Sequence, residues 1–191
     1  MAVLGVNAAG RGESPPASLA ALGARVVRVV AYPDADLRAW IHGCHDAGLK
    51  VLLVLAHESI GGDPTGWPGR IEHYKNLYFG LLDYVQLGNE SDHESESSWT
   101  LTPDDLSQLL RVGRFVLGQA AYLIGPGLVS GQPSWAGRVD WTPVNALSAH
   151  PYAKEPGTPE LDRLIGGYAA QAGSHELWVT EYHARTRGMA A

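Results

Sequence analysis

Short apolar runs alternate along this chain with longer stretches in which apolar residues recur every three or four positions. The runs are AVLGVNA (2–8), ARVVRVVAY (24–32), KVLLVLAH (50–57), YVQLGNE (84–90), AYLIGPGLVSG (121–131), ALSAHPY (146–152) and ELWVTEYH (176–183). Most are rich in Val, Leu and Ile and nearly continuous, as expected of parallel strands covered on both faces. Helices are predicted between them. DLRAWIHGCHDAGL (36–49) follows a Pro-Asp turn and stops at Gly48, with Leu37, Trp40, Ile41, Cys44 and Leu49 at helical spacing. TPDDLSQLLRVGRFVLGQA (102–120) opens on a Thr-Pro-Asp start and sets Leu106, Leu109, Leu110 and Val112 or Phe115 on one side. TPELDRLIGGYAAQAG (158–173) repeats the scheme, whereas 131–144 is too short and too broken by Pro and Gly for a standard helix.

Strands alternating with helices imply right-handed βαβ units, in an open doubly wound sheet or a closed barrel. No GxGxxG follows the first strand and no GxxxxGK[ST] loop is present, so a nucleotide-binding sheet is disfavoured. The polar residues decide between the two. Asn7, Arg28, His57, Asn89, Glu90, His150, Tyr152 and Glu181 all lie in or just after the C-terminal half of a run. A barrel gathers those ends on one face, whereas an open sheet spreads them along an edge. The expected fold is therefore α/β, a compact TIM-type (β/α) barrel with seven recognisable strands, in one domain over 1–191. Nothing after Glu181 resembles an eighth strand, which leaves a fragment, an incomplete seven-stranded barrel or a barrel whose edge is closed by a second copy of the chain.

Composition narrows the field further. Hydrophobic residues make up 45% of the 191 and charged residues 18%, an ordinary globular balance. The net charge of −6 and the scattered Lys and Arg speak against a nucleic-acid surface, and no apolar run approaches a membrane span. Cys44 is the only cysteine, so no internal disulfide forms. The start, MAVLGVNA, lacks the basic region of a signal peptide, so the protein is expected either to stay inside or to have lost a leader.

The chemistry concentrates on two carboxylates. Glu90 ends the fourth run and Glu181 the seventh, so a barrel sets them across its mouth despite a gap of 181 − 90 = 91 residues. Glycoside cleavage with retention needs one carboxylic acid to protonate the leaving oxygen and one carboxylate to attack, about 5–5.5 Å apart. Repulsion and a partly dry pocket are expected to raise the acid's pKa while hydrogen bonds keep the other charged. Asn89 suits a hydrogen bond to the sugar 2-hydroxyl, His150 and Tyr152 suit hydrogen bonds to the nucleophile, and Arg28 suits keeping it ionised.

QLGNE (86–90) followed by WVTEY (178–182) resembles the paired signature of the clan A glycoside hydrolases, the barrel superfamily of cellulases, mannanases, xylanases and β-glycosidases. VRVV with Arg28, VLLVLAH with His57, IGPGL and SAHPY match it in order. The resemblance implies Glu90 as acid/base, Glu181 as nucleophile, an oligo- or polysaccharide substrate and no cofactor. It departs at the absent eighth strand, where the clan usually supplies an aromatic floor for the sugar.

Other readings compete. A degenerate barrel that binds carbohydrate without turnover would explain the missing strand, and a metal-dependent hydrolase would use His57, His150 and Glu181. Among the tryptophans, Trp40 and Trp178 read as core, while Trp67, Trp99, Trp135 and Trp141 lie in or near loops; Trp135 and Trp99 are the candidates to line a sugar subsite. His42 and His45 beside Cys44 fit no metal motif and read as a solvated helix face, as does the acidic stretch 90–97 in the absence of a catalytic role for Glu90.

Overall fold

The apolar runs become the strands of a single parallel sheet. The structure, a computed structural model, describes residues 5–8, 12–92, 101–129, 133–152 and 159–181. Its strands are β1 (Gly5–Asn7), β2 (Val26–Val30), β3 (Lys50–Leu55), β4 (Tyr84–Leu87), β5 (Leu123–Leu128), β6 (Ala146–Ala149) and β7 (Glu176–Val179), paired side by side in chain order. The sheet curls into part of a TIM-type barrel, with helices on its outside. Among the described residues no strand pairs β7 with β1. Both edges are correspondingly open: the β1 residues are half-buried or exposed, and Val179 of β7 is exposed.

The helices are α1 (Pro16–Ala21), α2 (Arg38–Asp46), α3 (His57–Ile60), α4 (Trp67–Leu77), α5 (Pro103–Leu117), α6 (Pro133–Ala136) and α7 (Pro159–Ala172). α2, α5 and α7 lie within the stretches predicted from periodicity. α5 starts with a reciprocal cap, in which Thr102 accepts from the Asp105 backbone N–H and the Asp105 side chain accepts from the backbone of Thr102. Leu106, Leu109 and Leu110 of α5 are buried, but Phe115 points to solvent, because Gly113 rather than an apolar side chain meets β4 on the next turn. α4 was not among the predicted helices, although Trp67, Ile71 and Tyr74, at i, i+4 and i+7, form its buried stripe. Trp67, placed near a loop by the sequence, opens this helix fully buried. Among the described residues no helix is long and apolar enough to cross a membrane.

Alternate positions on each strand serve different layers, because successive side chains point to opposite faces. One set, including Val27, Val29, Val51, Leu53, Val85, Leu87, Leu123 and Leu147, joins the helix-facing core with Leu37, Ile41, Ile71 and Leu106. The other set turns inward. Leu52, Ile124 and Ala146 form a small apolar floor with Val26, Tyr84, Tyr122 and Trp178 packed against it. Tyr84 meets Trp178 edge-on at 4.9 Å between ring centroids, and Tyr122 donates to Glu176 at 2.5 Å. Trp178 is therefore a wall of the barrel interior, not part of the core beneath the helices. Nearer the strand ends the inward positions become polar: Arg28, Gln86, Ser148 and Thr180.

Gly113 lets α5 approach β4, since a Cβ there would stand 2.0 Å from Leu87 Cδ1 in the packed core. Gly113→Ala is expected to destabilise the fold by about 1–3 kcal/mol through overpacking. Gly166→Ala on α7, where a Cβ meets nothing within 4 Å, is expected to stabilise it by about 0.5–1 kcal/mol. Chemical denaturation of the two variants measures both; equal effects would show that the α5–β4 contact is loose.

Candidate active site

Each functional side chain hangs from the C-terminal end of a strand. Beyond β4 the chain turns sharply at Gly88 (φ 81), where a Cβ would meet Ser91 Oγ at 2.9 Å and Pro126 Cβ at 3.2 Å. Glu90 follows in the left-handed region (φ 50), which is unfavourable for a residue with a side chain. Its neighbours hold it there. The Glu90 N–H donates to Gly127 O, the Leu101 N–H donates to Ser91 O, and the Asp92 side chain accepts from the Val129 N–H. The opposite carboxylate, Glu181, stands two residues beyond β7.

The two side chains converge. Glu90, His150 and Glu181 each present one oxygen or ring nitrogen, and these atoms all lie within 4.8 Å of one another. Tyr152 sits between the acids, its hydroxyl 2.5 Å from Glu90 Oε1 and 2.9 Å from Glu181 Oε1. His150, fully buried, brings Nδ1 to 3.0 Å from the same Glu90 oxygen. Arg28 reaches up from β2, with one guanidinium nitrogen 3.5 Å from Glu181 Oε2, another 2.6 Å from Asn89 Oδ1, and Nε 3.3 Å from Gln86 Oε1.

Burial governs the ionisation here. It lowers the Arg28 pKa from its usual value, opposed by the nearby Glu181, Tyr152 and Glu90, and an arginine this basic stays charged. The Tyr152 phenol is pushed far up, first by burial and then by its hydrogen bonds to Glu90 and Glu181, so it serves as a donor and not as a phenolate. One O–H donor and one fixed cation thus stand beside the two acids, contacts that offset the repulsion between carboxylates this close.

The structure brings Glu90, Glu181, Asn89, Arg28, His150 and Tyr152 into one cluster. One partnership differs from expectation: His150 bonds Glu90 through Nδ1 and Thr180 through Nε2, and not Glu181. Asn7 is exposed at the end of β1 and lines, with Arg28, Trp178 and Glu181, a cavity of ≈ 700 Å³ between β1 and β7. His57 opens α3 beyond β3 and does not join the grouped atoms of Glu90, His150 and Glu181, so the trio of His57, His150 and Glu181 does not form. The group that does form spaces its atoms closely enough for a divalent ion. However, the Tyr152 hydroxyl occupies the space between its carboxylates and Arg28 adds a positive charge, which suits acid–base chemistry better than cation binding. Trp135 is half-buried on α6 against Leu128, Ala136 and Tyr168, in the helix layer. Trp99 lies outside the described residues.

Four contributors carried no distinct sequence signal. Gln86 bridges Arg28 to the turn, accepting from Arg28 and donating to Gly88 O at 2.9 Å. Thr180 and Ser148 touch each other, and Thr180 touches His150. Gly127 leaves room for the imidazole: a Cβ there would stand 2.0 Å from His150 Nε2. The signal that could have found the first three is the two-residue step along a strand, which sets Gln86 inside the barrel with Tyr84, Ser148 with His150, and Thr180 with Trp178.

No protein-family model matches the sequence, and neither does any curated protein. Solved structures do. The chain is similar to the catalytic domain of a mannanase from Streptomyces sp. SirexAA-E, with TM-score 0.69 and 17% identity over 99% of this chain and 67% of that one. It is similar to a β-mannanase from Streptomyces thermolilacinus with mannohexaose, with TM-score 0.61 and 22% identity over 93% of this chain and 67% of that one. It is also similar to an endo-β-1,3-glucanase from Amycolatopsis mediterranei in complex with laminaripentaose, with TM-score 0.61 and 16% identity over 97% of this chain and 73% of that one. At such identities the likeness establishes the fold, the TIM-barrel architecture of these glycosidases, of which this chain forms a seven-stranded part.

Gly127→Ala is expected to push the His150 ring off Glu90 and to destabilise the protein by about 1–3 kcal/mol. Denaturation, together with a crystal structure of the variant, measures this; a ring left in place would show that β5 yields instead.

Proposed function

We propose that the protein is a retaining glycoside hydrolase acting on a β-linked glycan, with Glu90 as acid/base and Glu181 as nucleophile. The observation that carries this reading is the approach of two carboxylates within 4.8 Å at the ends of β4 and β7. Retaining enzymes separate their carboxyl groups by about 5–5.5 Å and inverting enzymes by about 6.5–9.5 Å, to admit a water. The division of roles follows from the partners. The Arg28 cation stands 3.5 Å from Glu181 Oε2, beside the carboxylate that attacks; Glu90 is met by the neutral Tyr152 and by His150. Glu181 attacks the anomeric carbon while Glu90 protonates the leaving oxygen, forming a glycosyl ester. Glu90, now ionised, then takes a proton from water as the water displaces Glu181. Asn89, held through its Oδ1 by Arg28, turns its amide N–H groups to donation, as a hydrogen bond to the sugar 2-hydroxyl requires.

The mannohexaose and laminaripentaose of two similar structures support a β-linked oligosaccharide as substrate. A second reading, a barrel that binds carbohydrate without cleaving it, draws on the edges of β1 and β7, unpaired among the described residues, beside the cavity.

Wild type, Glu90→Gln and Glu181→Gln are to be assayed on mannan, β-1,3-glucan, xylan and aryl β-glycosides. Each substitution is expected to lower kcat by about 10³-fold. Azide is expected to restore cleavage to Glu181→Ala with an inverted glycosyl azide product. Glycan binding by a wild type that cleaves none of these substrates would select the binding reading, and equal activity in all three proteins would remove the assignment.

A further inference from the structure

The chemistry above uses one edge of His150. The other edge has a partner of its own: Nε2 lies 3.1 Å from Thr180 Oγ1, and that hydroxyl lies 2.5 Å from Ser148 Oγ. Ser148 and His150 are both buried, so water does not substitute for these contacts at no cost. A neutral imidazole has one N–H and one lone pair, and its two neighbours decide which nitrogen keeps the proton. A carboxylate accepts only, whereas a hydroxyl donates or accepts.

These constraints favour one direction. Ser148 Oγ–H donates to Thr180 Oγ1, Thr180 donates to His150 Nε2, and His150 Nδ1–H donates to Glu90 Oε1. The reverse direction would set the Nδ1 lone pair against Glu90 Oε1, an oxygen to which the Tyr152 hydroxyl already donates. We propose that Thr180, oriented by Ser148, holds His150 as the Nδ1–H tautomer, so that two donors fix Glu90 Oε1 and the carboxyl proton of the acid form resides on Oε2. Thr180 and Ser148 are positioning residues. They act on Glu90 only through the imidazole, and they tie β6 to β7 behind the two acids. The step involves no net transfer, only the choice of which ring nitrogen bears the existing proton.

The catalytic consequence rests on the glycosidase reading; the tautomer does not. Glu90 and His150 are faced by Tyr152 from beyond β6, Glu181 from beyond β7 and Arg28 from β2, and the test leaves these three unchanged. Histidine 15N spectra, with the His150 signals identified by their loss in His150→Gln, are to be recorded for wild type, Thr180→Val, Thr180→Ser and Ser148→Ala, alongside the pH dependence of kcat/KM. Wild type and Thr180→Ser are expected to show Nδ1–H. Thr180→Val is expected to move the Nε2 resonance toward that of a lone pair without a donor, and Ser148→Ala to move it part of the way. A donor to a carboxylate favours its charged form, so weakening it raises the Glu90 pKa. A general acid then keeps its proton to higher pH, and the alkaline limb of Thr180→Val is expected to move up by about one pH unit. An Nε2–H tautomer in wild type, or an Nε2 resonance unmoved by Thr180→Val, would overturn the proposal. An Nδ1–H tautomer whose Nε2 resonance responds to Thr180→Val in a protein cleaving no glycan would leave the proposal standing and remove the glycosidase reading instead.

Discussion

Two carboxylates from opposite sides of the barrel mouth share one phenol. Everything else in the cluster exists in relation to the Tyr152 hydroxyl between Glu90 and Glu181. Two negative charges this close are unfavourable in a partly dry site unless donors and a cation stand beside them. Tyr152 is suited to this because burial and its two acceptors hold its proton firmly. Arg28 supplies the cation, and its planar guanidinium reaches Glu181, Asn89 and Gln86 at once, which a lysine could not do.

The scaffold pre-sets these contacts through backbone detail. Glu90 adopts a left-handed conformation, held by Gly127 O and by the neighbouring hydrogen bonds of Ser91 and Asp92. β5 shifts register between Ile124 and Gly127, a bulge that accommodates Pro126 without an N–H, and Gly127 just beyond it makes space for His150. Such strain is tolerated where surrounding contacts over-determine it, as at sites that must hold reacting groups in place. The same strands change character along their inward faces, from the aromatic floor of Tyr84, Tyr122 and Trp178 to the polar layer of Gln86, Ser148 and Thr180. A cluster of charges is thereby lifted to the open end, with apolar packing beneath it.

Much of this could be read from the linear pattern. Seven apolar runs became seven strands in the expected order, because parallel strands buried on both faces must be nearly continuous in Val, Leu and Ile. Polar residues at the ends of those runs named six members of the cluster, since a charged group beside a buried strand has few places to go except the barrel mouth. α4 was passed over although Trp67, Ile71 and Tyr74 stand at helical spacing, because Pro68 and Gly69 in its first turn read as loop residues. Phe115 misled because an amphipathic stripe was extended one turn beyond the place where Gly113 makes the contact.

By itself, then, the chain determined the strand and helix alternation, the parallel order and the pair of acids, all of which follow from local periodicity and from which residues water can solvate. Only the tertiary structure decided who touches whom. That His150 faces Glu90, that Tyr152 lies between the acids, that Arg28 reaches Asn89 and Glu181, and that Thr180 and Ser148 complete the line behind the imidazole depend on strand stagger and curl. These quantities relate residues from 29 to 153 positions apart, over distances of a few ångströms, and no local pattern encodes them.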